Sequence, residues 1–266
     1  MIDLTIFSVA TERYLPFWVN LVKSAQKHIN GDISVQWVLF TDLEEIATSL
    51  SKELGINLYV SNYEGGEWPM PTLLRYELMS NIKVNIKGRI IMHLDADMLF
   101  VNQVTKLDLN EAIGMNEIAL IGHPGFFRPN GVDRVRFYFS NYSYLIRDIK
   151  SFLLIGGIGS WETNRNSRAF IPRKKRKNYV CGGTWFGNRK SILALCSMLS
   201  SRINEDLENG VIAKFHDESH LNWFAANFNY TINSPEYCYE ESYPQLQNLK
   251  PKIIAVDKNA NSTWIR

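Results

Sequence analysis

The sequence lacks the features that usually mark phosphate-binding, disulfide-stabilised and membrane-spanning proteins. Its 266 residues contain no G-x-G-x-x-G and no G-x-x-x-x-G-K-S/T loop, so a bound diphosphate would need another device, such as a metal. Cys181, Cys196 and Cys238 are an odd number without metal-ligand spacing, which predicts free thiols in a reducing compartment. No apolar run reaches membrane-spanning length, and no signal-like segment opens the chain. We therefore expect a soluble, cytoplasmic protein.

A strong charge of one sign is also missing. The net charge is only +2, and five positive charges lie in the single run 173–177, so the composition predicts no general affinity for nucleic acid. We interpret the run as a solvated loop, with attraction to a membrane or glycolipid as the alternative. Hydrophobic residues make up 45% of the chain and aromatic residues 12%, which is a globular composition whose aromatic rings fill a core or stack on bases and sugars.

Strand-like and helix-like segments alternate along the first half of the chain. The apolar patterns predict strands at residues 2–9, 34–40, 57–60 and 89–94, and helices at 17–28, 43–54 and 73–84. Such alternation predicts an α/β fold, with a mainly parallel sheet flanked by helices. The second half is less regular, with a glycine-rich segment at 181–187 and helices near 191–207 and 218–227. Residues 128–158 are interpreted as an insertion that covers an acceptor site, faces a partner or packs as a subdomain.

Asp95-Ala96-Asp97 follows the apolar strand predicted at 89–94. Two carboxylates at the carboxyl end of a buried strand can hold a hard divalent cation beside the phosphates of a ligand, which suggests a nucleotide-sugar enzyme. The triplet alone is weak evidence, because most short acidic pairs are solvated turns or helix caps.

The H-D-E-S-H-L-N string at 216–222 offers two further hypotheses. His216 and His220 are four residues apart and could share a helical face, but the H-E-x-x-H zinc motif is absent because Asp217 follows His216. Asp217 and Glu218 also suit a helix start, where carboxylates favour the positive end of the helix dipole. Catalysis by Glu218 therefore stays one of two interpretations at this point.

Together, ten ordered segments resemble one family, the retaining α-1,3-galactosyl and N-acetylgalactosaminyl transferases of glycosyltransferase family 6, which include the histo-blood-group A and B enzymes. The resemblance covers nearly the whole chain and implies a non-membrane bacterial or viral type with a GT-A, Rossmann-like mixed sheet in one catalytic domain. Residues 1–122 would form the nucleotide-binding part and 123–266 the acceptor-binding and catalytic part. The matching segments are 7–14, 40–42, 68–75, 95–98, 123–126, 169–172, 179–187, 216–222, 234–237 and 255–259.

The resemblance implies a donor site for a UDP-sugar. Phe7 and Tyr14 would flank the uracil, and Thr72 and Arg75 stand where the family has Ser and Arg near the donor phosphates and sugar. Asp95, Ala96 and Asp97 match the family's metal motif, which implies Mn²⁺ on the two aspartates, with Mg²⁺ as a possible substitute. Many bacterial relatives carry Asn at both positions and work without metal. The remaining implied donor contacts are Cys181, Gly182, Gly183, Asp217, Lys258 and Arg266.

The resemblance also assigns the chemistry and the acceptor. Glu218 matches the catalytic carboxylate, acting as a nucleophile or as the stabiliser of an oxocarbenium-like state. Gly183 stands where a small residue leaves room for an N-acetyl group, which favours UDP-GalNAc over UDP-Gal unless this glycine only permits a tight backbone. His123 and Glu240 match acceptor contacts.

The predicted function is the Mn²⁺-dependent, retaining transfer of GalNAc or Gal in α-1,3 linkage onto a galactoside, possibly a fucosylated one. Two alternatives stay open: a catalytically silent carbohydrate-binding protein, and a metal-dependent nucleotidyltransferase or hydrolase, which would also use paired aspartates. Neither a nucleic-acid partner nor a membrane span is expected.

Overall fold

A computed structural model of the protein describes residues 2–64 and 66–256. Nine helices and nine strands alternate along this part of the chain. The strands are β1 (Leu4–Val9), β2 (Val35–Thr41), β3 (Leu58–Asn62), β4 (Ile90–Leu94), β5 (Met98–Phe100), β6 (Ile118–Gly122), β7 (Val180–Asn188), β8 (Thr231–Asn233) and β9 (Ile253–Ala255). The helices are α1 (Leu15–His28), α2 (Glu44–Leu54), α3 (Met70–Leu73), α4 (Arg75–Asn81), α5 (Lys106–Ile113), α6 (Gly131–Ser140), α7 (Tyr142–Ile155), α8 (Arg189–Glu208) and α9 (His216–Asn227).

Seven strands form one mixed sheet in the order β3-β2-β1-β4-β7-β6-β8. β1, β2, β3 and β4 run parallel to one another, whereas β7 runs antiparallel to both β4 and β6. The reversal at β7 pairs Leu94, the last residue of β4, with Thr184 near the start of β7. The first residues of β7 therefore lie at the carboxyl edge of the parallel strands, where ligands bind in open α/β sheets.

Two apolar layers cover the sheet, as the alternating pattern predicts. One face packs against α1, α2 and α5, with Trp18 and Trp37 among its buried side chains. The other packs against α4, α8 and α9 around Phe7, Tyr76 and Trp185. The α/β class and the mixed sheet flanked by helices are thereby confirmed.

The predicted elements of the first half agree with the structure to within a few residues, and the helix predicted at 73–84 corresponds to α4. The short helix α3 precedes it, and the two are separated at Leu74, whose ψ of −6° is not that of a regular α-helix. The Arg75 Nε at this junction donates to the carbonyl oxygen of Thr72, 3.1 Å away. The break turns the Arg75 side chain into the protein, which the hydrophobic pattern alone does not show.

Residues 128–158, predicted as an insertion, form a helical hairpin of α6 and α7 joined at Asn141. The hairpin leaves the sheet after β6 and is followed by the long connection to β7. Within residues 2–64 and 66–256, no helix combines the length and hydrophobicity needed to cross a bilayer.

Candidate active site

The candidate active site is assembled where β4 ends, β7 begins and α9 starts. The backbone nitrogen of Asp95 donates to the Gly183 carbonyl, 3.0 Å away, which extends the pairing of β4 and β7 beyond the last residue of β4. The Asn222 side chain of α9 bonds both the nitrogen and the carbonyl oxygen of Val180, at 2.9 and 2.8 Å. These bonds fix the first turn of α9 against β7, so Asp217 and Glu218 face Gly182.

The guanidinium of Arg75 lies at the centre of this arrangement and is 4% exposed. Its Nη1 is 3.1 Å from Asp95 Oδ1 and 3.3 Å from Asp217 Oδ2. The same nitrogen donates to the Gly182 carbonyl, 3.2 Å away. Burial opposes charge on Arg75, but the carboxylates of Asp217 and Asp95 outweigh it and raise its pKa above the ordinary value. A permanent cation thus joins the ends of β4, β7 and α9.

His93 lies beneath Arg75 and Asp95 and was not predicted. Its Nε2 is 2.6 Å from Arg75 Nη1 and 3.2 Å from Asp95 Oδ1. Burial, together with the charge of Arg75, lowers the pKa of His93 to about 4. The imidazole is therefore neutral at pH 7, and a neutral ring can accept a hydrogen bond from Arg75 at Nε2. A histidine two residues before an aspartate, in an otherwise apolar strand, is the sequence signal that could have identified it.

Glu218 is buried with one hydrogen bond on each carboxylate oxygen. Tyr179 donates its hydroxyl to Oε1 at 2.7 Å, and the Gly182 backbone nitrogen donates to Oε2 at 2.8 Å. Burial raises the pKa of Glu218 to about 7, although both hydrogen bonds favour the anion. Tyr179 lies within the matching segment at 179–187, and no sequence signal distinguishes it from a core tyrosine. The two hydrogen bonds hold the Glu218 carboxylate in one orientation.

Asp217 differs from its neighbour because its strongest partner is a cation. Burial raises the pKa of Asp217 to about 7 while Arg75 opposes the rise. His216, the residue before it, has a positive φ of 45°, a conformation that is rare without a glycine. This turn lets Asp217 face Arg75 while Glu218 faces Tyr179.

Gly182 and Gly183 allow the elements to approach this closely. A Cβ at Gly182 would lie 3.2 Å from both Asp217 Oδ2 and Glu218 Cβ. A Cβ at Gly183 would lie 2.7 Å from Met98 Cε and 3.0 Å from Asp95 Oδ2. Both glycines therefore have a packing role, whatever they contribute to ligand choice.

A cavity of about 370 Å³ opens beside Glu218. His123 belongs to its wall, and its ring centroid lies 4.9 Å from that of Phe126 and 5.6 Å from that of Tyr179. Burial lowers the pKa of His123 to about 4, while the nearby charge of Glu240 opposes the shift. A neutral histidine, aromatic faces and a carboxylate are the groups that bind a sugar ring and its hydroxyls. The lining residues are His123, Phe126, Ser160, Phe215, His216 and Glu218.

Asp95 and Asp97 provide two hard oxygen donors on the same turn. The described residues contain no group of three or more His, Cys, Asp or Glu side chains arranged to hold a metal. Two carboxylates suit a divalent cation that takes its other ligands from diphosphate and water, as Mg²⁺ commonly does. The chemistry of this donor pair fits the predicted cofactor, with Asp95 already oriented by Arg75 and His93.

The side chains of two predicted donor contacts are buried. Phe7 lies between the rings of His93 and Trp185, at centroid distances of 4.7 and 5.4 Å. Val9, two residues later on the same face of β1, is partly exposed. The Cys181 side chain likewise points into the core, where Cys238 lies.

The other predicted residues are distributed around the site. Tyr14 is partly exposed at the start of α1, Thr72 bonds the Pro69 carbonyl, and Ala96 is buried between the two aspartates. Lys258 and Arg266 lie outside the described residues.

His216 and His220, which the sequence does not favour as a zinc site, lie in different surroundings. His216 lines the cavity, whereas His220 is fully buried with its Nε2 3.4 Å from Asp206 Oδ2.

Replacing Arg75 by Met should destabilise the protein, because Asp95 and Asp217 would lose their cation. We expect about 3 kcal/mol less free energy of unfolding, the scale of a broken buried ion pair, measured by urea denaturation at pH 8. The matched control is Arg89→Met, which removes an exposed arginine. Equal losses in the two variants would show that the Arg75 charge has no special role.

Comparison with known proteins supports the resemblance. Residues 158–266 match glycosyltransferase family 6. The rat histo-blood group ABO system transferase 1 is 26% identical over 269 residues, covering 97% of this chain and 67% of the relative. The O-antigen biosynthesis glycosyltransferase WbnI of Escherichia coli is 24% identical, over 98% of this chain and 97% of the relative.

A third relative extends the comparison. The chicken globoside alpha-1,3-N-acetylgalactosaminyltransferase 1 is 24% identical, over 97% of this chain and 67% of its own length. The mixed sheet is consistent with a GT-A type fold. The chain is thus similar to glycosyltransferase family 6 over residues 158–266, and to glycosyltransferases over nearly its whole length.

Proposed function

We propose that the protein transfers GalNAc, or Gal, from its UDP-sugar to a galactoside in α-1,3 linkage with retention of configuration. The observation that carries this proposal is the buried Glu218 carboxylate, held by Tyr179 and Gly182 at the wall of the same cavity as His123. The name of the chicken relative specifies α-1,3 transfer of N-acetylgalactosamine, which supports the linkage and favours GalNAc. In this proposal residues 1–122 bind the nucleotide, and 123–266 supply the acceptor site and Glu218.

Glu218 acts on the anomeric carbon in this proposal. Retention requires either a carboxylate that forms and then loses a glycosyl bond, or a carboxylate that stabilises an oxocarbenium-like state while the acceptor enters on the face that UDP leaves. Both need an anion fixed beside the reacting carbon, and the two hydrogen bonds on Glu218 provide that fixation. His123 lines the cavity and is close enough to Glu240 for that charge to act on its pKa, and in this proposal both residues contact the acceptor galactoside.

Asp95 and Asp97 would hold the divalent cation, Mn²⁺ with Mg²⁺ as a possible substitute. When bound, the cation neutralises charge on the diphosphate leaving group. Arg75 keeps the Asp95 carboxylate oriented, because the Arg75 Nη1 is 3.1 Å from Oδ1. Thr72, Tyr14 and the tail residues Lys258 and Arg266 complete the proposed donor contacts.

Product analysis tests the proposal against its alternatives. Purified protein with UDP-GalNAc, a panel of plain and fucosylated galactosides and Mn²⁺ should yield UDP and an α-linked disaccharide or trisaccharide, identified by mass spectrometry and NMR. Release of UMP or pyrophosphate would instead support a nucleotidyltransferase or hydrolase. Sugar binding without any turnover would support a silent carbohydrate-binding protein.

The metal assignment predicts that chelation abolishes transfer and that Mn²⁺ restores it. Asp97→Asn should lower kcat/KM by at least about 10²-fold at saturating Mn²⁺, the scale of losing a group that stabilises charge in the transition state. Asp32→Asn, at an exposed aspartate, is the control and should be unaffected. Full activity in excess chelator would overturn the assignment and place this chain with the metal-free relatives.

The hydrogen bond from Tyr179 predicts a specific change in pH dependence. Activity needs ionised Glu218, so kcat should fall as the pH drops below about 7, the value that burial gives its pKa. Tyr179→Phe removes a donor to the anion, so the pKa of Glu218 rises and the acidic limb of the kcat profile moves to higher pH. Tyr230→Phe, at a tyrosine outside the cavity wall, serves as control. An acidic limb in the same place for Tyr179→Phe and wild type would contradict the role of Glu218.

Gly183 gives a prediction about the donor. Gly183→Ala should shift the ratio of kcat/KM values from UDP-GalNAc towards UDP-Gal, because the added methyl occupies space near the proposed N-acetyl group. Since the same Cβ lies 3.0 Å from Asp95 Oδ2, the concentration of Mn²⁺ needed for half-maximal activity should rise as well. Steady-state kinetics with both donors over a Mn²⁺ series measures both effects. An unchanged donor ratio would show that donor choice lies elsewhere.

A further inference from the structure

The hairpin of α6 and α7 exposes its apolar residues and buries a charge. In α6 only Phe137 is buried, and in α7 only Asp148. Asp148 accepts hydrogen bonds from Arg128 Nε at 2.6 Å, from Arg128 Nη2 at 2.8 Å and from the Tyr138 hydroxyl at 2.8 Å. An ordinary surface helix turns its apolar stripe to the core. In this hairpin, the polar contact of Asp148 faces the protein instead, and the apolar side faces outward.

The outward side is large and continuous along α7. The side chains recur at spacings of three and four residues, which places them on one face of the helix. Phe139 is 84% exposed and Phe152 66% exposed. Contiguous apolar surface of this kind marks an interaction site. Its members are Val132, Val135, Phe139, Tyr142, Leu145, Ile146, Ile149, Phe152, Leu153 and Leu154.

Positive charge is concentrated around this face. Residues 128–178 contain twelve lysines and arginines against three carboxylates, a net +9; since the whole chain carries +2, the remaining residues carry −7. Two of the three carboxylates, Asp148 and Glu162, are buried. The basic run 173–177 is attached to the end of α7, because Arg173 donates to the Leu153 carbonyl and Arg176 to the Ile155 carbonyl. The apolar face and the basic run thus form one surface.

We propose that α6, α7 and the basic run form a docking surface for an anionic lipid bilayer. Exposed Phe, Leu and Ile side chains flanked by Lys and Arg suit a helix that lies in the membrane interface, where the apolar face enters the acyl boundary and the cations meet lipid phosphates. A second copy of the chain is the other apolar partner, but pairing this face with itself would bring two regions of +9 together. Charge therefore favours the bilayer.

The docking surface is joined to the wall of the active-site cavity. Arg128 Nη1 and Arg147 Nη2 each donate to the Gly125 carbonyl at 3.3 Å, and His123 and Phe126 on either side of Gly125 line the cavity. Docking would hold the cavity close to the bilayer surface. Binding of the protein to a bilayer does not depend on the proposed transfer reaction, so a failure of the docking proposal can be distinguished from a failure of the proposed function.

Flotation of the purified protein with vesicles tests the proposal. Vesicles of phosphatidylcholine with about 30% phosphatidylglycerol should carry the protein, pure phosphatidylcholine vesicles should carry much less, and about 0.5 M NaCl should weaken binding. The double variant Phe139→Ser/Phe152→Ser should lower the partition coefficient about tenfold or more, because two exposed aromatic side chains no longer enter the membrane. Lys174→Glu/Lys177→Glu should lower it to a similar extent.

Matched controls distinguish binding through this surface from nonspecific adsorption of the protein to vesicles. Val84→Ser/Met115→Ser and Lys52→Glu/Lys190→Glu change equally exposed residues elsewhere and should bind like wild type, and thermal melts should show all variants folded. The proposal is overturned if wild type fails to float with anionic vesicles, or if Phe139→Ser/Phe152→Ser floats as well as wild type. Light scattering tests self-association. If wild type is a dimer and Phe139→Ser/Phe152→Ser is a monomer, while both float equally well, the bilayer proposal is overturned in favour of self-association.

Discussion

The site depends on one buried cation. Arg75 joins the end of β4, the start of β7 and the first turn of α9, because its Nη1 is within 3.3 Å of Asp95, Asp217 and the Gly182 carbonyl. β7 and α9 begin more than a hundred residues after the start of α4, so the guanidinium fixes the relative positions of these elements only once the sheet has formed. It also acts on the charge state of the site, since it opposes the rise that burial causes in the pKa of Asp217. For Glu218, whose pKa burial raises to about 7, the hydrogen bonds from Tyr179 and Gly182 oppose the rise in the same way.

The antiparallel direction of β7 determines which groups surround the Arg75 guanidinium. An all-parallel sheet would bring another strand end and its loop to the carboxyl edge. Here the edge receives Gly182 and Gly183, whose backbone groups bond Glu218 and Asp95 directly. The absence of side chains at both positions lets α9 and the aspartate turn approach β7 closely. The sequence contains no glycine-rich phosphate loop, and these two glycines serve a different purpose, the positioning of carboxylates.

Much of the first half could be predicted because its elements are long, regular and alternately apolar, as α1, β2 and α2 illustrate. The residues Arg75, Asp95, Asp97, Asp217 and Glu218 could be placed in one site only through the family resemblance, since the last two lie more than a hundred residues after the first three. His93 and Tyr179 were missed because a polar group inside an apolar segment gives no sign of its partner. The burial of Phe7 could not be predicted, because a strand pattern does not say where along the strand burial ends. The inverted polarity of α7 was invisible, since a periodic apolar stripe predicts a helix but not which side faces the protein.

The central claim is that the chemistry rests on the fixed negative charge of Glu218, and Glu218→Gln tests it most directly, because the shape is kept and the charge removed. The measurement compares kcat for transfer with the dissociation constant for UDP, at pH 8, in wild type, Glu218→Gln and the exposed control Glu241→Gln. The account predicts that kcat falls on the order of 10²-fold or more in Glu218→Gln while UDP affinity and the melting transition stay close to wild type, since UDP does not carry the charge that develops on the sugar. A near-normal kcat, or a loss explained entirely by unfolding, would contradict it and leave Glu218 as a residue that only stabilises the start of α9.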